Sequence, residues 1–316
     1  MHMRAILPPL IVVVSFAVTP ATAASEAAPR AHVLDVYRGD RVIVEYSDEG
    51  RARLISAIES LRRLLGVPAD LDERDEDVID AFPVDPELKP DVIRLSQCYF
   101  TLGIIFLRGE DGEEDTYRRG KHWGLKALRM DPAFAASEDA EGFVAAVRSE
   151  TNLDALYWAC MNWVSVANFD RLAAIPAGIV GKTVAMLERC VELDPSYDCF
   201  GAYRVLGSIW GALPRMPFGT YRKNFERARS YFCFLVEEPA LCCDLLERSI
   251  DPSCSTYLGN RRAFAEFYLV EQRRWSEAAR VLRSVLDDPI GEMYPLYNAR
   301  AKDDARALLE EVSRHL

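Results

Sequence analysis

Histidine is scarce: the 316-residue chain has four, one at position 2 and one next to the C-terminus. Metal sites built on histidine and His-dependent catalytic triads are therefore poorly supplied. A basic surplus is also missing. Asp and Glu number 49 against 38 Lys and Arg, a formal charge of −11, which argues against a phosphate-neutralising surface and against nucleic acid as a partner. No apolar run reaches the roughly 20 residues needed to cross a bilayer, so no direct membrane span is expected. No cysteine precedes Cys98, which leaves the lipid-bearing cysteine of a lipoprotein without a candidate. The acidic stretch from Asp70 to Asp91 lacks the D-x-D-x-D-G pattern and closing Glu of an EF-hand, and reads as a solvated, extended linker. Residues 179–183, IVGKT, end like a phosphate-binding loop, but Pro176 stands where the first glycine is required and the context is helical. His122 has no second histidine at ligand spacing and reads as a packing or surface residue. No metal or cofactor is expected.

What is present suits one or two packed domains: half the residues are hydrophobic and 28% are charged. Residues 1–23 combine Arg4, an apolar stretch from Ala5 to Val18 and the small-residue site Ala21-Thr22-Ala23. This pattern predicts a cleaved secretory signal and a periplasmic mature protein. Residues 24–87 form an N-terminal segment. The β-prone runs between His32 and Tyr46 flank Arg38-Gly39-Asp40 and permit a small β-hairpin, and a turn is favoured over an adhesion role for that triplet. Leu54, Ile55, Ile58, Leu61 and Leu65 recur at helical spacing before Gly66, and the acidic linker follows.

Residues 88–316 read as an all-α domain of helical hairpins resembling tetratricopeptide repeats. Leu95, Tyr99, Leu102 and Gly103 precede an acidic turn at Gly109 to Asp115, then Tyr117, Ala127 and Asp131-Pro132. Tyr203, Leu206, Gly207 and Trp210 lead to Ala228, Phe232 and Pro239, with an insertion around Pro214 to Thr220. Phe264, Ala265 and Tyr268 precede Trp275, Ala278, Val281 and Pro289, and a further pair spans Asn152 to Ala167 and Pro176 to Leu193. No such hairpin buries its own apolar face, so stacking should form one continuous core.

The segments DALYWACMNWVSVANF (154–169), MLERCVELDPSY (186–197) and GAYRVLGSIWGALPRM (201–216) resemble the T-component (TatT) family of tripartite ATP-independent periplasmic (TRAP) transporters, over roughly Leu88 to Val312. The resemblance implies a non-enzymatic, helical periplasmic homotrimer. Such a protein accompanies the transporter's solute-binding subunit and handles a small hydrophobic or organic-acid ligand in a channel or cleft. Two departures stand out. A Gly-Gly-Asp turn typical of the family is replaced between Phe218 and Asn224, and the lipoprotein cysteine of many relatives is missing. A general TPR scaffold for envelope proteins is the alternative.

The helix around residue 160 carries one apolar stripe of Leu153, Leu156, Tyr157, Cys160, Val164 and Ala167. Its second face, with Asp154, Trp158, Asn162 and Ser165, could line a wet cleft, or belong to the core or a trimer contact. Trp158, Asn162, Trp163, Tyr203, Trp210 and Arg215 are the candidate ligand-binding residues, Arg215 as the cation for a carboxylate. Cys98, Cys160 and Cys190 occupy positions that favour simple burial, and Cys199 could close on Cys190. Cys233, Cys242, Cys243 and Cys254 cluster before the last hairpin, where at least one disulfide is expected in an exported chain.

Overall fold

A computed structural model describes residues 33, 35–39, 41–215, 221–235 and 256–316. The leader, Phe218 to Thr220 of the altered turn, and Cys242, Cys243 and Cys254 lie outside the described residues. The N-terminal hairpin is present: β1 (Tyr37–Arg38) pairs antiparallel with β2 (Arg41–Val42), and Gly39 takes φ 65° to turn the chain. Helix α1 (Asp48–Leu64) starts where the Ser47 hydroxyl accepts the Gly50 N–H, and ends ahead of Gly66. Leu54, Ile58, Leu61 and Leu65 are buried as expected, but Ile55 is 42% exposed. A residue adjacent to Leu54 is rotated about 100° around the helix and falls off a narrow stripe.

The acidic stretch is not an extended, solvated linker. It holds α2 (Glu76–Ala81), capped by the Asp75 carboxylate, and a 3-10 turn at Pro86–Leu88. Its anchor is Glu73, buried at 3% exposure. One Glu73 oxygen accepts from the Tyr99 hydroxyl at 2.7 Å and the Trp123 indole at 2.6 Å, and the other lies 2.7 Å from Arg62 Nε. Glu76 pairs with Lys121 at 2.8 Å and Arg129 at 3.1 Å, and Asp80 also meets Arg129. The acidic run is thus matched by basic residues of a helix some 50 positions later, and much of its charge is spent internally.

His122 is sealed under this segment, and its Nδ1 donates to the Glu73 carbonyl at 2.9 Å. Burial holds the imidazole below its ordinary pKa; Lys121 and Arg118 act in the same direction, while the carbonyl and Glu76 oppose it. The unfolded chain therefore binds this proton more readily than the folded one. The associated stability is complete above about pH 6.5 and is lost as pH falls through the folded value. His122→Asn, whose amide can donate to the same carbonyl, is expected to flatten the decline in Tm between about pH 7 and pH 5. Thermal melts across that range check this, and an unchanged slope would remove His122 from the account.

The remaining elements are helical. Helix α3 (Lys89–Thr101) runs into a π-helical turn at Leu102–Phe106, followed by α4 (Glu113–Arg129), α5 (Pro132–Glu141) and α6 (Phe143–Ser149). Then come α7 (Leu153–Phe169), the single turn α8 (Arg171–Ala174), α9 (Ile179–Leu193), α10 (Tyr197–Ala212) and α11 (Phe225–Phe232). Helix α12 (Leu258–Phe264) continues into a π-helical turn at Ala265–Leu269, and α13 (Trp275–Asp287) and α14 (Pro295–Ser313) complete the described chain. The pair α5 and α6 has no counterpart in the hairpin pattern read from the sequence.

Packing proceeds in series: α3 on α4, α4 on α7, α7 on α9, α9 on α10, α10 on α11, and α13 on α14. Two crossings depend on glycine. A methyl group on Gly124 would stand 2.6 Å from the Ala159 backbone, and one on Gly207 would stand 2.8 Å from the Phe232 ring. Gly124 cannot carry a side chain without moving a helix, and Gly207 cannot without displacing the buried Phe232 ring. The series also returns on itself. The Thr101 hydroxyl lies 3.1 Å from that of Tyr297, Arg108 donates to Asp304 at 2.5 Å, and Arg300 donates to the Ile105 carbonyl at 3.4 Å. The end of α3 and its π turn are therefore bonded to α14, across 196 positions of sequence.

Cys98, Cys160 and Cys190 are buried free thiols, and burial pushes those of Cys98 and Cys190 up to about 12. The Cys190–Cys199 closure does not form. Cys199 and Cys233 each take part in a disulfide.

Candidate functional site

Four arginines from separate parts of the chain reach one cavity of about 290 Å³. Arg108 follows the π turn after α3, Arg171 opens α8, Arg204 lies in α10 and Arg262 in α12. The walls are apolar and aromatic, with Phe100, Ile104, Tyr117, Met161, Val205 and Phe267. Glu113 and Glu266 are the carboxylates among its lining residues. A protein of net charge −11 thus presents more cations than anions inside this cavity. Low-dielectric walls strengthen that local sign.

The arginines are not equivalent. Arg108, Arg262 and Arg300 share the carboxylates of Glu266 and Asp304: Arg300 Nε is 3.0 Å from Asp304, and Arg262 pairs directly with Glu266. Glu113 brings a third carboxylate to the same lining, so these three guanidinium groups are matched and the cation left over in the cavity is Arg171. Arg262 Nε is buried without a hydrogen-bond partner among the described residues. Arg204, 8% exposed, donates to Asp198 at 2.9 Å and to the Asn260 side-chain oxygen at 2.8 Å, and stacks its guanidinium 4.6 Å from the Tyr257 ring centroid. Tyr157 donates to the same Asp198 oxygen at 2.6 Å, and burial, reinforced by Asp198, raises the Tyr157 pKa well above its ordinary value. Arg171 is exposed at the rim. The arrangement suits an anion with an apolar body: rings and aliphatic groups for the body, a surplus guanidinium for the charge.

The residues chosen from the sequence do not gather at one cleft. Asn162 is fully buried, and its amide donates to the Ser96 carbonyl at 2.9 Å, the Ser96 hydroxyl at 3.1 Å and the Trp158 carbonyl at 2.9 Å. It packs against Gly120, where even a methyl group would collide with it. At Asn162 the polar face of α7 is a helix crossing, where the amide nitrogen is paired and Oδ1 has no hydrogen-bond partner among the described residues, while Asp154 and Trp158 of the same face border a cavity. Trp163 turns to the other side, edge-on to Phe143 at 5.4 Å with the ammonium groups of Lys121 and Lys182 each 5.5 Å from its ring. Tyr203 packs on Phe234 at 4.4 Å. Trp210 lies under Arg227, 4.0 Å away, and beside Tyr221. Arg215 is exposed beyond the end of α10. Trp158, 5.8 Å from Phe100, borders two other cavities, one of them about 370 Å³.

Arg108, Arg171, Arg204 and Arg262 were missed by the sequence reading. Arg204 had a signal: it is a lone charge within GAYRVLGSIWGA, where burial demands a partner. Among the described residues, no group of three or more His, Cys, Asp or Glu side chains is placed to hold a metal ion.

The described chain is all-α apart from one small hairpin, and its helices border an apolar, arginine-bearing cavity. Its family is more specific. Residues 114–315 match the TRAP transporter T-component family, and the chain belongs to that family. It is thus a transport accessory protein of the TRAP system. No curated protein matches it. No helix among the described residues is long and apolar enough to cross a membrane.

Proposed function

We propose that the protein is a periplasmic T-component that binds a small organic anion with an apolar body and holds it for the solute-binding subunit of a TRAP transporter. The observation that carries this reading is the surplus of arginine over glutamate in the 290 Å³ cavity. Its role is passive: energy for transport comes from an ion gradient at the membrane subunits, and association with the binding subunit raises the local ligand concentration. A homotrimer is the proposed assembly. The proposed site now comprises Arg171 and Arg262 with the walls of Phe100, Tyr117 and Phe267, in place of Trp163, Tyr203, Trp210 and Arg215. A disulfide linking Cys233 within the cluster of Cys242, Cys243 and Cys254 is kept as part of the proposal.

Octanoate and 1-octanol serve as probes, since they share a chain and differ in charge. Calorimetry is expected to show octanoate binding at least about tenfold more tightly than octanol, and Arg171→Gln is expected to remove most of that preference. Equal affinity for the two probes would exclude an anion site. Pulldown of the mature protein should recover a TRAP solute-binding subunit; recovery of envelope proteins without it would favour a general scaffold. Light scattering showing only monomer would remove the trimer.

A further inference from the structure

A second, smaller cavity of about 40 Å³ is walled by Trp158, Tyr197, Tyr294 and Tyr297, with the Asp198 carboxylate among them. Ring faces carry negative quadrupole density, and several rings around one carboxylate favour a cation of low hydration. The protein itself supplies such a cation. Arg41, on β2 of the N-terminal hairpin, also lines the cavity, and its guanidinium carbon sits 4.5 Å from the centroid of the Tyr294 ring. The remaining space accommodates little more than water.

One wall is held by a strained segment. Asp198, Cys199 and Phe200 take φ of 48°, 49° and 58°, three successive non-glycine residues in the left-handed region. Each such residue is strained, because the left-handed region brings its Cβ against the following carbonyl oxygen. Strain of this kind persists only where the surroundings fix it, and here they do. Tyr157 and Arg204 hold the Asp198 carboxylate at 2.6 and 2.9 Å, and the Tyr294 hydroxyl lies 2.7 Å from Cys199 Sγ. Tyr157 also braces the aromatic walls, edge-on to Trp158 and Tyr197 at 5.0 Å each.

From the self-occupied ring cluster and the strained segment that supplies its carboxylate, we propose that this cavity is a recognition site for a guanidinium or substituted ammonium group, with Arg41 as its built-in occupant. An external cation competes with the hairpin for the site. Its entry releases Arg41 from Tyr294, and because Arg41 does not line the arginine-bearing cavity, variants at Arg41 test this site separately from that one.

The experiment compares the full mature chain with Arg41→Ala and Arg41→Gln, using methylguanidinium and tetramethylammonium as cationic probes and tert-butanol as a neutral one. Both cations are expected to bind the two variants at least about tenfold more tightly than wild type, as read by calorimetry. Tert-butanol should show no such gain. A gain below tenfold for the cations, or an equal gain for tert-butanol, overturns the proposal, the latter because it would report an apolar void alone. Far-UV circular dichroism establishes folding. Arg41→Gln keeps a hydrogen-bonding side chain on the strand and carries the test if the alanine variant unfolds.

Discussion

Replacing Glu73 by alanine is expected to destabilise the protein by about 3–5 kcal/mol, the range for removing one partner of a buried charge pair. The substitution leaves Arg62, 16% exposed, with only the more exposed Glu59 at 3.4 Å as counter-charge, and leaves the Tyr99 hydroxyl and the Trp123 indole without their acceptor. Each orphaned neutral donor adds about 1–3 kcal/mol of desolvation cost to the same loss, so the upper end of the range is the better expectation. Urea unfolding reads the change in midpoint. Limited proteolysis gives an independent readout, because residues 70–91 should become cleavable once Glu73 no longer ties them to α3 and α4. Pairing Glu73→Leu with Arg62→Met should recover only the part due to the stranded charge, since the Tyr99 hydroxyl and the Trp123 indole still lack an acceptor. A cost below about 1 kcal/mol for Glu73→Ala would place the anchor elsewhere.

Arg204→Ala is expected to cost a similar amount, about 3–5 kcal/mol, with a different signature. Arg204 joins Asp198 of the strained turn to Asn260 of α12 and covers the Tyr257 ring, so its loss loosens α10 from α12 as well as unpairing a carboxylate. Arg204→Lys restores the charge but not the fork that reaches both partners, and should recover only part of the stability. A double-mutant cycle with Asp198→Asn isolates the ion pair. If the coupling in that cycle is within about 0.5 kcal/mol of zero, the two residues act independently and the left-handed turn is held by other contacts.

The helices were legible because their signals are local. Ser47 and Asn152 stand where caps are needed, and Gly66 follows α1 with φ 72°. The fate of polar residues was not legible, because it depends on partners far along the chain. Glu73 looked like one acid among many, and its acceptor role exists only because Tyr99 and Trp123 are brought to it. Asn162 looked like a ligand-facing amide until Ser96 and Gly120 closed around it. The left-handed turn at Asp198 to Phe200 contains no glycine in its positive-φ positions and had no local sign at all. The cavity combines α3, α4, α7, α8, α10 and α12, and no contiguous motif could have announced it. The sequence choice of tryptophans followed residue type, whereas the cavity was set by which sides of the helices meet.

The bond between the start and the end of the helical series has an evolutionary and kinetic meaning. An open array of repeats can gain or lose a unit, fray from either end and begin folding anywhere. A series closed by Thr101 with Tyr297 and Arg108 with Asp304 can do none of these freely, because an added unit would part the two ends. Its unit number is fixed by geometry. Closure also demands a late, long-range chain encounter, which is expected to slow folding relative to an open array of equal length.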